Sequence, residues 1–215
     1  MDSNFWIQAW KEGRTNFHKE KFNEKLLAYF SKLNPVSGQK VLVPLCGKSK
    51  DLLWLSQLGL QVCGIELHEQ AVKDFFSENN LPAPVRTEVD NYISYTEGNI
   101  NLRCGDFFKL PEDESYDLVY DRASLVALPS PMRRDYAEVI KRSLKSGGKY
   151  LLISFEYNQT ELDGPPFSVS EKEVNELYGD SFHITLLESE TLPKEGPKFE
   201  KLSQLEEKVY LLAKK

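Results

Sequence analysis

The chain has 215 residues, 40% of them hydrophobic and 28% charged, which fits one soluble globular domain and excludes collagen-like, low-complexity and disordered classes. Its formal charge is −6, with both signs interspersed and no basic block, so nucleic-acid binding is not expected. No apolar run approaches the ~20 residues of a membrane helix, and no basic-then-apolar leader opens the chain, so a cytoplasmic protein with no membrane partner is expected.

Residues 17–33 place Phe22, Leu26, Leu27, Tyr29, Phe30 and Leu33 at helical spacing, and Asn34-Pro35 ends that helix. Residues 40–45 read as a short apolar strand. Cys46-Gly47-Lys48-Ser49 is a turn, and 49–58 a helix stopped by Gly59. Residues 61–66 form a second strand and 69–79 a further helix. Residues 83–98 are polar and poorly patterned, an insertion or a hairpin. Strands follow at 100–104 and 116–121. A helix over 131–144 aligns Met132, Tyr136, Val139, Ile140 and Leu144, with Gly147-Gly148 behind it. A fifth strand spans 149–157. Gly164-Pro165-Pro166 is a turn, and 170–178 is a helix opened by a capping box of Ser170 and Glu173. Two final strands lie at 182–187 and 208–213.

This alternation predicts an α/β fold, a Rossmann-like single domain over 1–215. Its sheet should be mostly parallel and seven-stranded, with helices on both faces and an antiparallel hairpin at the C-terminal edge. Cys46, Cys63 and Cys104 are widely spaced and lie in or beside apolar runs, so they read as buried free thiols. His18, His68 and His183 lack metal-ligand spacing, and no metal site is expected.

Ligands of an open α/β sheet sit beyond the carboxyl ends of its strands. The first strand runs into Leu45-Cys46-Gly47, where Gly47 permits a tight turn and close backbone approach. The second ends in Glu66, an acid able to accept both ribose hydroxyls of an adenosine cofactor. Gly105-Asp106-Phe107 follows the third, where an acid can meet the adenine amino group. The fourth ends in Asp121-Arg122. A dinucleotide calls for G-x-G-x-x-G to cradle its pyrophosphate, and here one glycine stands alone beside Lys48. S-adenosyl-L-methionine carries no phosphate and needs no such cradle. Taken singly, each signal has a plainer reading: a turn glycine, a solvated strand end, a local ion pair.

Longer motifs narrow the choice. Trp10-Lys11-Glu12-Gly13-Arg14-Thr15-Asn16-Phe17-His18 resembles the W-x-x-G-[KR]-T-x-F-H segment of the thiopurine S-methyltransferase family. Val43-Pro44-Leu45-Cys46-Gly47-Lys48 is similar to its P-L-C-G-K loop, and Val62-Cys63-Gly64-Ile65-Glu66 to its V-x-G-[VI]-E strand. Asp121-Arg122-Ala123-Ser124-Leu125-Val126-Ala127-Leu128, Gly164-Pro165-Pro166-Phe167 and Lys208-Val209-Tyr210-Leu211-Leu212 resemble its later segments, so the likeness spans nearly the whole chain.

The resemblance implies a class I methyltransferase fold with a helical lid over 1–33 and S-adenosyl-L-methionine as cofactor. It implies cofactor contacts from Trp10, Leu45, Glu66, Gly105, Asp106 and Arg122, with Trp6 and Phe17 lining the site from the lid. The family often carries another small residue at Gly105 and an apolar one at Asp106, so backbone is expected to meet adenine there. The implied reaction moves methyl from a sulfonium to the sulfur of an aromatic or heterocyclic thiol. Arg122 is the first candidate cation to favour the thiolate, Arg14 the second, and Asp121 is expected to orient Arg122. His18 is either a base or a hydrogen-bond partner at a helix start. Phe17, Tyr157 and Phe167 are candidates for the acceptor site; Tyr157 and Phe167 either stack on a flat acceptor or pack their loop. Vertebrate members place a basic residue before the final strand, and the shorter segment 193–199 offers no arginine to align there. The partner is a small-molecule thiol and the chain is expected to be a monomer. Small inorganic acceptors, such as halide or selenium and tellurium oxyanions, are the rival substrate class, and a non-catalytic cofactor-binding protein the rival role.

Overall fold

The computed structural model describes residues 3–15, 18–89, 91–194, 196 and 198–215, without the side chains of Ser3 and Asn4. Its helices are α1 (Ser3–Lys11), α2 (Glu24–Tyr29), α3 (Asp51–Gln57), α4 (Glu69–Glu78), α5 (Ser130–Ser143) and α6 (Glu171–Tyr178). Its strands are β1 (Lys40–Val43), β2 (Gln61–Glu66), β3 (Val85–Val89), β4 (Tyr92–Glu97), β5 (Ile100–Cys104), β6 (Tyr116–Arg122), β7 (Leu144–Glu156), β8 (Phe182–Thr191) and β9 (Glu206–Lys214). They form one sheet in the order β3-β4-β5-β2-β1-β6-β7-β9-β8. The central five, β5-β2-β1-β6-β7, are parallel, and β9 and β8 add the expected antiparallel edge.

The sheet has nine strands where seven are expected from the sequence. Residues 83–98 supply the other two: β3 and β4 pair as a hairpin, and β4 runs antiparallel to β5. Every residue of β3 is exposed, so this edge strand has no buried face to impose alternation. The helix expected over 17–33 is shorter. Asn23 caps α2 by accepting from the Leu26 N–H at 2.9 Å, and its own N–H donates to Asp51 at 2.8 Å. The helix then tightens into a 3-10 turn over Phe30–Leu33. α5 stops at Ser143 and the chain enters β7 directly, with Gly147 at φ 73° inside the strand rather than at a helix end.

Both faces of the sheet are covered. Phe30, Leu52, Leu55 and Phe75 pack from the α2–α4 side, while Tyr136, Ile140 and Tyr178 pack from the α5–α6 side. Each such side chain contributes about 1.5–3 kcal/mol by leaving water. The period of two along β6 sends Leu118 and Tyr120 to the first side and Val119 to the second. Among the described residues no helix is long and apolar enough to cross a membrane.

Candidate active site

The loops that leave the carboxyl ends of β1, β2, β5, β6 and β7 share one rim of the sheet. After β1 the chain turns through Leu45 at φ 45° and Gly47 at φ 55°. A leucine in the left-handed region is strained by about 1–2 kcal/mol, so its neighbours must hold it. They do. The Cys46 N–H donates to the Ile65 carbonyl at 3.0 Å, and the Ser124 hydroxyl donates to the Pro44 carbonyl at 2.7 Å.

Glu66, only 6% exposed, joins the first two loops. One carboxylate oxygen accepts the Gly47 N–H at 2.9 Å and the other accepts the His68 N–H at 2.8 Å. Burial pushes this carboxyl above its ordinary range, and the amides of His68 and Gly47 pull it back. Each oxygen keeps a lone pair beyond the bond it makes, so the group can still accept from a diol. Trp10 of α1 lies over the same turn: a Cβ on Gly47 would fall 3.2 Å from its ring, and the ring stacks on His68 with centroids 6.0 Å apart. Through Trp10, α1 is thus seated on the turns that follow β1 and β2. Trp6 packs edge-on against Phe5 at 5.2 Å. Phe17 lies outside the described residues.

The loop after β5 departs from expectation. The Asp106 carboxylate accepts the Phe108 N–H at 3.0 Å and caps a 3-10 turn, a local use that the adenine reading of this side chain did not foresee. Gly105 is set by packing. A Cβ there would lie 2.5 Å from the Tyr92 ring, and the Tyr92 hydroxyl donates to the Asp106 carbonyl at 2.7 Å. The β3–β4 hairpin, which brings Tyr92, therefore shapes this loop.

At the end of β6, Asp121 and Arg122 part company. Asp121 is fully buried toward α5 and α6, where it accepts from Tyr136 at 2.6 Å and Tyr150 at 2.8 Å. Its other oxygen takes the N–H groups of Ser124 and Leu125 at 3.3 and 3.4 Å. Burial pushes its carboxyl up and the tyrosine hydroxyls pull it back. Adjacent residues of a strand face opposite ways, so Arg122 shares the face of Tyr120, toward α2–α4. Asp121 does not orient Arg122. It fixes the turn that carries Ala123 at φ 64° and delivers Ser124 to Pro44.

Other candidates are also relocated. Arg14 pairs with Glu12 at 2.6 Å and lies over the Phe5 ring at 5.6 Å, both within the N-terminal segment. His18 lies 3.4 Å from Glu20, and burial holds its imidazole below the ordinary range; α2 is capped by Asn23 instead. The ring of Tyr157 is buried beside Leu202 and Leu205, and its hydroxyl donates to the Pro166 carbonyl at 2.6 Å. Tyr157 thus packs the loop. Phe167 is half-buried and lines a cavity of about 580 Å³ with Pro129, Ser130, Arg133 and Gln159.

Two residues that hold the Gly164–Phe167 loop escaped sequence reasoning. Arg133, 3% exposed, donates to the Leu128 carbonyl at 2.9 Å, pairs with Glu173 at 2.6 Å, and stands 6.0 Å over the Phe167 ring. Lys198, from the segment with no arginine to align, donates to the Pro165 carbonyl. Both hold the Gly164–Phe167 loop from distant parts of the chain. No local spacing signals either. All three cysteines are free, and burial pushes each thiol up, Cys104 to about 11. Among the described residues no group of three His, Cys, Asp or Glu could hold a metal ion.

Comparisons with known proteins bear on the family and the fold. A family model described as thiopurine S-methyltransferase matches residues 1–215. The thiopurine S-methyltransferase of Bordetella petrii is 43% identical over 216 residues, covering 99% of this chain and 98% of that protein. That of Azotobacter vinelandii is 41% identical over 219 residues and covers both chains fully. Among solved structures, TehB from Haemophilus influenzae superposes with a TM-score of 0.64 at 18% identity, covering 97% of this chain and 67% of that one. The 1,6-didemethyltoxoflavin-N1-methyltransferase of Burkholderia thailandensis, solved with S-adenosylhomocysteine, gives 0.68 at 16% identity, covering 98% and 86%. These two likenesses speak to the fold, a class I methyltransferase; the match along the full sequence says more, and by it the chain belongs to the thiopurine S-methyltransferase family.

Proposed function

We propose that this member of an S-adenosyl-L-methionine-dependent methyltransferase family methylates the sulfur of aromatic and heterocyclic thiols, as a monomer in a reducing compartment such as the cytoplasm. One observation carries the reading: a buried acid at the Gly47 turn, covered by Trp10, shares its rim with a cation, Arg122, two strands away. S-adenosyl-L-methionine supplies a methyl group on a positively charged sulfur. Glu66 fits its ribose, because the amides of Gly47 and His68 hold the carboxylate while leaving lone pairs for hydroxyls. Gly47 lets backbone approach closely, and the Trp10 ring lies against it, where it would help to exclude water once a cofactor is bound.

Arg122 has the charge to favour a thiolate over a thiol. An aromatic thiol ionises readily, so no strong base is needed. Anionic sulfur and cationic sulfonium cancel charge as they react, which a dry site favours, and alignment supplies much of the acceleration. The Pro165–Phe167 loop, fixed by Tyr157, Arg133 and Lys198, would wall the acceptor. The test is transfer from isotopically labelled cofactor, read by mass spectrometry, to a mercaptopurine, an aryl thiol, an alkyl thiol, iodide, selenite and tellurite. Methylation of the first two alone is expected. Methylation of the inorganic anions in their place would overturn the aromatic-thiol reading.

A further inference from the structure

Histidine is not among the residues that usually cap helices, a role that falls to Ser, Thr, Asp or Asn. His68 nevertheless caps α4: its Nδ1 accepts the Ala71 N–H at 3.4 Å, and its own N–H donates to Glu66 at 2.8 Å. A serine or an aspartate would serve the helix as well. Neither would offer the flat face on which Trp10 lies, 16° from parallel with ring centroids 6.0 Å apart. The Trp10 ring also lies against Gly47, whose N–H is held by the other oxygen of Glu66. Glu66, Gly47, Trp10 and His68 thus close a circle of contacts, in which His68 touches both the acid and α1.

The imidazole divides its work between edge and face. Its edge can accept from Ala71 only while Nδ1 carries no proton, and that bond sets the plane of the ring. A proton on Nδ1 sets donor against donor and places a positive charge at the positive end of α4. The ring must then leave the cap, and the platform under Trp10 goes with it. The charged groups that face the ring are Lys11 on α1, Asp74 on α4 and Glu66 on β2. Burial and Lys11 hold the imidazole below its ordinary range against the pull of Asp74, so the cap is intact at neutral pH.

We infer that His68 is a positioning residue of the cofactor site, its edge capping α4 while its face seats Trp10, and α1 with it, against the Gly47 turn. The inference rests on the cofactor site proposed above and is independent of the acceptor. Cap and platform should separate on substitution. His68→Asn keeps an oxygen that can cap and loses the platform. His68→Phe keeps an aromatic platform and loses the cap. A residue that only capped α4 would be replaced by asparagine without loss at the cofactor site.

The test follows Trp10 itself, by fluorine NMR of the ligand-free full chain carrying fluorotryptophan at its three tryptophans, with the Trp10 line assigned from Trp10→Phe. In the unaltered chain that line should move on acidification, below the ordinary histidine range, toward its position in His68→Asn. The line of Trp54, which packs on Phe30, should stay. In His68→Asn the Trp10 line should be displaced at neutral pH and unresponsive to acid. Calorimetry at neutral pH should show S-adenosyl-L-methionine binding about fivefold more weakly to His68→Asn and with nearly unchanged affinity to His68→Phe, although only the second loses Tm with the cap. An Asn variant that binds the cofactor like the unaltered chain makes His68 a helix cap only and overturns the inference, whatever its Trp10 line does. If neither variant folds, the unaltered chain decides: a Trp10 line that stays put on acidification overturns the inference. Failure of the unaltered chain to bind S-adenosyl-L-methionine, with Trp10 still responding to His68, would sink the proposed cofactor site and this inference with it.

Discussion

The part of the rim proposed to hold the cofactor and the part proposed to meet the acceptor are built by different means. On the cofactor side, strand ends hold one another. Glu66 at the end of β2 takes the N–H of Gly47 after β1, and Gly105 after β5 donates back to the Glu66 carbonyl at 2.9 Å. On the acceptor side, a loop is held from outside by long side chains. Arg133 reaches Phe167 from α5, Lys198 reaches Pro165 from the segment before β9, and Tyr157 reaches Pro166 from beneath. The first arrangement suits a donor site held by the strands themselves. The second lets the acceptor change while the donor site stays intact.

That division is broken most directly at Glu66. Glu66→Ala removes two charge-assisted hydrogen bonds and the proposed ribose acceptor together, so S-adenosyl-L-methionine should bind about a hundredfold more weakly by calorimetry. Unchanged affinity would dismantle the cofactor half as drawn. The pH dependence sharpens the point. Burial raises the Glu66 carboxyl, so cofactor affinity should fall on acidification sooner than an ordinary carboxylate would dictate, and Glu66→Gln should lose this dependence. Stability should move the other way. A carboxyl raised by folding contributes stability below its unfolded value that is lost as pH rises through the folded one, so ionising Glu66 or Asp121 works against the fold.

The acceptor half is broken at Arg133. Replacing it with Met keeps much of the stem but leaves the half-buried Glu173 unpaired and the Phe167 ring unsupported. Stability should fall by about 1–3 kcal/mol in denaturant titrations. The informative result is kinetic. The KM for an aryl thiol should rise while cofactor affinity holds. A parallel loss of both would mean the two halves are not separable.

The same division explains what the sequence disclosed. The five parallel strands, the Gly47 turn and Glu66 were legible because each rests on a short run: an apolar strand, a turn residue, an acid at a strand end. β3 was not, because a strand exposed on every residue carries no periodic signal. Asp121 was misread for a related reason. Asp121-Arg122 reads as an ion pair in one dimension, but a strand turns adjacent side chains to opposite faces, and only the assembled sheet shows which tyrosines await the carboxylate. Arg133 and Lys198 could not be found at all, since their partners lie in other elements.

A smaller effect tests the boundary between the halves and the hairpin. Gly105→Ala would put a Cβ 2.5 Å from the Tyr92 ring, which is itself tethered through its hydroxyl to the Asp106 carbonyl. Overpacking of this kind costs about 1–3 kcal/mol, and Tm should drop by roughly 2–4 °C for each. Combining it with Tyr92→Ala should restore tolerance of the alanine, because the clash goes with the ring. Additive losses would mean that something other than Tyr92 dictates glycine here.

The smallest effect belongs to Asp106, and it discriminates between two uses of one carboxylate. As a cap, it satisfies the Phe108 N–H at 3.0 Å, and Asp106→Ala should cost about 1 kcal/mol in thermal unfolding. Cofactor affinity should then stay as it was, because the loop's course is also fixed by Gly105 on Glu66 and by Tyr92 on the Asp106 carbonyl, neither of which uses the side chain. Asp106→Asn should keep most of the cap, since its amide oxygen still accepts. If both variants instead weaken S-adenosyl-L-methionine binding about tenfold, the oxygen left over from capping reaches the cofactor, and the acid after β5 belongs to the binding site as well as to the turn.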